Sequence, residues 1–206
     1  MRGSRDKGQA FPIYIVTVAG VLFAAFAFFA ISQAAVVRSN AQKAADSAAL
    51  AAAGDARDHL LPGLDFAKLG PADWRNILDG RLFDGAGACG AARGFASDNG
   101  ATATCEAALP SFTVVATTRT GVGSSVVPGI AGTRGTATAT ARIDPRCALG
   151  SAPDPGGEPP AEGSPPPKPD PVEILCRGGD VIHFDPSKPD PWRTLARSLF
   201  DVRLVH

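Results

Sequence analysis

The side chains in this sequence that could do chemistry fall into no catalytic constellation. The histidines are His59, His183 and His206, too dispersed for a zinc-ligand spacing, and His183-x-Asp185 near Asp180 is the one polar grouping that could hold or relay a proton. Its alternation with Ile182 and Phe184 reads better as the exposed face of a strand. No Gly-x-Ser-x-Gly elbow, phosphate loop or dinucleotide fingerprint occurs, and the glycines of 94–100 and 121–132 do not have the required form. Arg177-Gly-Gly-Asp180 has one Gly more than the cell-attachment tripeptide. The expectation is a protein that is not an enzyme and takes no cofactor, metal or small-molecule substrate. Cysteine is the remaining reactive type. Cys89, Cys105, Cys147 and Cys176 form an even set suited to disulfides in an oxidising compartment. Three pairings are possible; the sequential ones are favoured, each contributing about 3 kcal/mol in the chain-entropy model.

The elements that must carry these residues begin with an apolar run. Gln9 to Val37 holds no charged side chain, and Phe11 to Ile31 is almost wholly apolar. Twenty-one helical residues rise about 30 Å, the thickness of a bilayer's hydrocarbon core. Residues 11–31 are therefore expected to be a transmembrane helix, with Pro12 in its first turn and Tyr14 at the interface. A cleaved signal peptide ending at Ser32-Gln33-Ala34 is the competing reading. Residues 1–10 form a basic tail, with Arg2, Arg5 and Lys7 against Asp6, expected on the cytoplasmic side. Because all four cysteines follow the span, the rest of the chain is expected outside the cytoplasm. Over the whole chain 20 basic residues balance 20 acidic ones, which gives no electrostatic reason for nucleic-acid binding.

Residues 32–57 are rich in Ala, with no Pro and one late Gly, so the helix is expected to continue to about Gly54. Ala34, Ala41 and Ala48 are seven apart, as are Ala45 and Ala52, a seam of small side chains along which another helix could approach closely. An Ala-rich spacer without a partner would show the same composition. Residues 58–148 are expected to form an α+β body. Pro71 to Asp79 reads as a short amphipathic helix packed on a sheet, and the strands are Ala101 to Glu106, Ser111 to Thr120 and Thr133 to Ile143. Residues 149–172 are a Pro-rich spacer or loop that cannot bury a core. In 173–206, Glu173 to Cys176, Val181 to Phe184 and Val202 to Val205 read as strands and Pro191 to Leu199 as a helix, all packing back on the body. A second sequential disulfide would close the Pro-rich segment into a loop.

Three stretches together resemble a known family: the tail ending Asp6-Lys7-Gly8-Gln9-Ala10, the span opening Phe11-Pro12-Ile13-Tyr14, and Asn40-Ala-Gln-Lys-Ala-Ala-Asp46-Ser-Ala-Ala-Leu50-Ala-Ala-Ala53. Residues 6 to 55 are similar to TadE/TadG-like proteins of tight-adherence (Tad, or Flp) pilus assembly, in their short actinobacterial form. Leu199-Phe200-x-Val202-Arg203-Leu204 is similar to the ends of such proteins. The resemblance implies a membrane-anchored minor pilin or pseudopilin whose partners are the membrane and other pilin-like subunits or the assembly platform. A single-pass surface binding or adhesion protein, with the helix as a plain anchor, is the alternative. If Gly8 were a prepilin cleavage glycine, Ile13 would stand where type IV pilins carry Glu. The Asp-x-Ser-x-Ser metal motif of the longer TadG members does not occur, so metal-dependent adhesion is not implied.

Overall fold

A computed structural model describes residues 10–121, 132–152, 171–186 and 192–205. The fold is α+β: one long N-terminal helix, then antiparallel sheets and two disulfides. Helix α1 runs from Ala10 to Asp58, 49 residues or about 73 Å, and ends four residues beyond Gly54. Its composition accounts for the length, since it is rich in Ala, holds two Gly, and has its one Pro, Pro12, in the first turn. Beyond a 3-10 turn at Phe66–Lys68, α2 spans Pro71–Leu78, with Pro71 opening it and the Asp73 carboxylate accepting from Gly70 N at 3.0 Å.

Helix α3, Ala88–Asp98, follows, and then β1 (Ala101–Ala108), β2 (Ser111–Thr118) and β3 (Thr136–Pro145). Strands β4 (Cys147–Ser151), β5 (Val172–Cys176) and β6 (Val181–Phe184) precede α4 (Trp192–Leu199) and β7 (Phe200–Val205). Two sheets result where one was expected: a four-stranded sheet ordered β1-β2-β3-β7 and a three-stranded sheet ordered β4-β5-β6. The chain passes between them at Arg146, whose N–H donates to Leu199 O at 2.9 Å while its carbonyl accepts from Arg177 N at 2.9 Å. This junction also places β4 across the expected start of the Pro-rich spacer at 149. Most of that spacer and the basic tail lie outside the described residues.

Helices α1 and α3 cover one face of the larger sheet. Period-two alternation turns Phe112, Val114 and Ala116 of β2 and Ala139, Ala141 and Ile143 of β3 inward, where they are buried. The opposite face carries Thr102 and Thr104 of β1, Thr113 and Thr117 of β2, and Thr136, Thr138 and Thr140 of β3. Thr113 and Thr140 share a hydrogen bond of 3.0 Å across the strands, and Thr117 and Thr136 one of 3.2 Å. Continuous with the core, an aromatic cluster ties α2 to the smaller sheet, with Trp74 and Phe184 centroids 5.6 Å apart and Phe66 touching both.

Candidate functional site

The candidate site is α1, which has two halves in different surroundings. From Phe11 to Ile31 the large apolar side chains point away from the body, with Phe23 77% exposed and Phe28 74%. None of this apolar window is buried against the rest of the molecule, and it is the one candidate membrane span among the described residues. Two hydroxyls, one within it and one just past its end, turn back onto the helix. Thr17 Oγ1 donates to Ile13 O and Ser32 Oγ to Phe28 O, each at 2.9 Å, so both hydroxyls find an acceptor within the helix itself.

The second half is buried. Ala41, Ala44, Ala45, Ala48, Ala49, Ala52, Ala53 and Ala56 recur at helical spacing and are at most 1% exposed. They meet the sheet and α3, whose own buried residues are Ala88, Ala92 and Ala96. Small side chains on both helices permit close approach of the backbones. The sheet comes equally close at one point: a Cβ on Gly135 would lie 2.5 Å from the Val37 carbonyl oxygen, so only Gly fits beside α1 there. Asn99 Nδ2, just past α3, donates to Ser47 Oγ at 3.2 Å.

Of the seam expected from the sequence, Ala41, Ala45, Ala48 and Ala52 pack against this chain's own sheet and α3. Ala34 is exposed and lies outside the buried stripe. A stripe of small residues sets how closely a neighbour can approach without specifying which neighbour it is.

Residues 8–55 match the Tad family model, "Putative Flp pilus-assembly TadE/G-like". The Tad-like segment thus begins just before α1 and ends three residues before α1 does, taking in both the apolar run and nearly all of the buried stripe. No curated protein matches the chain, and no solved structure does. The Tad match supports a role related to pilus assembly, and with the apolar helix it suits association with a membrane and with pilus components.

Beyond the Tad-like segment, ion pairs fasten the far end of α1 to the body. Asp58 accepts from Arg197 Nη2 of α4 at 2.6 Å and from Arg57 Nε at 3.0 Å. Burial pushes the Asp58 carboxyl up, but the hydrogen bonds and charges of Arg197 and Arg57 outweigh it and hold the group below the ordinary carboxylate value. Asp144 on β3 behaves alike: burial raises it, while Arg203 across the strand pair and Arg142 two residues back lower it further.

The disulfides join Cys89 of α3 to Cys105 of β1 and Cys147 of β4 to Cys176 of β5, and no described cysteine is free. The first fixes α3 to an outer strand of the larger sheet. The second links directly opposed residues and closes the connection that contains the Pro-rich segment. Among the described residues no group of three His, Cys, Asp or Glu side chains is placed to hold a metal. His183 is exposed on β6 opposite Glu173, and His59 Nδ1 lies 2.8 Å from Asp55 O, at separate places in the fold. His206 lies outside the described residues. Arg177 to Asp180 forms the turn between β5 and β6, with Gly179 N donating to Cys176 O and the Arg177 guanidinium turned onto Pro145 O.

Sequence reasoning did not find α3. Its signal was Ala88, Ala92 and Ala96 at four-residue intervals, obscured by Gly90 and Gly94, each of which costs a helix about 1 kcal/mol relative to Ala.

Proposed function

We propose that this chain is a non-enzymatic, single-pass membrane protein that acts as a minor pilin or pseudopilin-like component of Tad (Flp) pilus assembly or a related secretion machine. The observation that carries this reading is the coincidence of the Tad match with α1, whose first half exposes large apolar side chains over a bilayer-length stretch. In this reading residues 11–31 lie in the membrane, the basic tail faces the cytoplasm, and the disulfide-bonded body faces outward. Lateral contact with other pilin-like helices runs along residues 11–39, because the stripe from Ala41 to Ala56 is occupied by the body.

That occupation favours one other reading, a surface binding or adhesion protein for which α1 is a plain anchor. Photo-crosslinkers at Phe23 and Phe28 in intact cells, with mass spectrometry of the products, separate the two. Recovery of pilin-like subunits or the membrane platform of a pilus machine is expected; crosslinks to lipid alone would leave the anchor reading in its place.

A further inference from the structure

We infer that the end of the body nearest the span is a basic collar that seats on anionic phospholipid headgroups. The inference rests on the membrane reading above and adds to it the position of the body and the lipid class it meets.

Topology brings four cations to this end. Helix α1 leaves the body at residues 37–43, carrying Arg38 and Lys43; β2 finishes there, followed by Arg119, and β3 starts there, preceded by Arg134. All four are exposed. Arg38, Lys43 and Arg134 have no ion pair among the described residues, and Arg119 donates to a neutral partner, Ser97 Oγ, at 2.5 Å. At the far end, by contrast, Arg57, Arg197, Arg142 and Arg203 are each paired with Asp58 or Asp144. Among the described residues two acids lie toward the collar end: Asp46, which accepts from Gln42 at 2.7 Å, and Asp98 at the end of α3.

Of these cations Lys43 lines a cleft of about 150 Å³, together with Val37, Asn40, Asn99, Gly100, Thr118 and Thr120. Its polar lining consists of an ammonium, amides and hydroxyls with no carboxylate, which is the chemistry that accepts a phosphate oxygen. The level is right for a headgroup. Arg38 is seven residues past Ile31, about 10 Å along the helix, while the polar zone of a bilayer extends about 5–8 Å beyond the hydrocarbon on each side. Long Arg and Lys side chains reach back across the difference. Unpaired cations held at this depth gain from an anionic surface, by roughly fivefold in the seated-to-lifted ratio for each charge.

The test uses the full chain, reconstituted in vesicles of phosphatidylcholine alone or of equal phosphatidylcholine and phosphatidylglycerol. Thr133→Cys supplies a single labelling site, since the described cysteines are all in disulfides. A fluorophore there reports distance to a quencher carried on lipid headgroups. Quenching should be stronger with phosphatidylglycerol, weaken at high salt, and fall to the phosphatidylcholine level in Lys43→Gln/Arg119→Gln/Arg134→Gln. Arg38→Gln/Arg134→Gln, which touches no side-chain hydrogen bond among the described residues, should show the same trend if the triple variant fails to fold. Equal quenching in both vesicles, or a phosphatidylglycerol effect untouched by either variant, would overturn the collar while leaving the span intact. A chain that floats with neither vesicle would overturn the membrane reading and the collar with it.

Discussion

Phe23 and Ala45 lie on one unbroken helix about 33 Å apart, yet Phe23 is 77% exposed and Ala45 is fully buried. A water-soluble protein does the reverse with such side chains, since a Phe gains far more than an Ala by leaving water. The inversion shows that the two halves of α1 answer to different surroundings. Large side chains suit the first half, where hydrocarbon is expected to cover them. The second half needs small ones, because a sheet and a second helix must come close to its backbone. A helix of large apolar side chains throughout would serve the first purpose and defeat the second.

The contrast is broken most severely by bulk placed in the buried half. Ala45→Leu with Ala48→Leu keeps helix propensity nearly constant but overpacks the contact with α3 and the sheet, and should cost about 3 kcal/mol or more of body stability. Ala34→Leu, on exposed helix, should stay within about 0.5 kcal/mol. Thermal unfolding of the reconstituted protein measures both. A double variant as stable as the parent would mean that the stripe does not bear on the body as described.

The size of that expected difference could not be had from the sequence. Residues 11 to about 54 are legible as one helix because nothing in them stops one, and the strands at 101–106, 111–120 and 133–143 because Thr and Val dominate between Gly and Pro clusters, whereas β4 has no such signal. The partner of the Ala stripe was not legible, since α3 was hidden by its glycines and a heptad of alanines fits an internal neighbour as well as an external one. Likewise the division into two sheets depends on how the backbone of Arg146 is shared between Leu199 and Arg177, a tertiary fact with no local signature.

Removing the Cys147–Cys176 bridge with paired Ser substitutions should cost about 3 kcal/mol, since it closes a long connection, and the loss should concentrate in the smaller sheet. Hydrogen exchange should rise in β4, β5 and β6 while α1 and α3 keep their protection. Uniform loosening would instead make the two sheets one cooperative unit.

A smaller effect is expected where the far end of α1 is tied down. Asp58 and Asp144 have folded pKa values below the ordinary carboxylate value of 3.8, so the stability they contribute is full above that pH and is lost as pH falls through the folded values. Asp58→Asn should flatten the decline in stability between pH 5 and pH 2, which an acid titration followed by circular dichroism would show. An unchanged acid profile would mean that the Arg197 contact contributes nothing measurable in solution.

The claim that two surroundings shape one helix is tested most directly by carbonate extraction of membranes from producing cells, followed by N-terminal sequencing of the chain recovered. The account predicts that the protein stays in the pellet with Phe11 to Ile31 still attached. A chain released to the supernatant and beginning at Ala35 would contradict it, because the exposed apolar half would then be a discarded signal and no part of the working molecule.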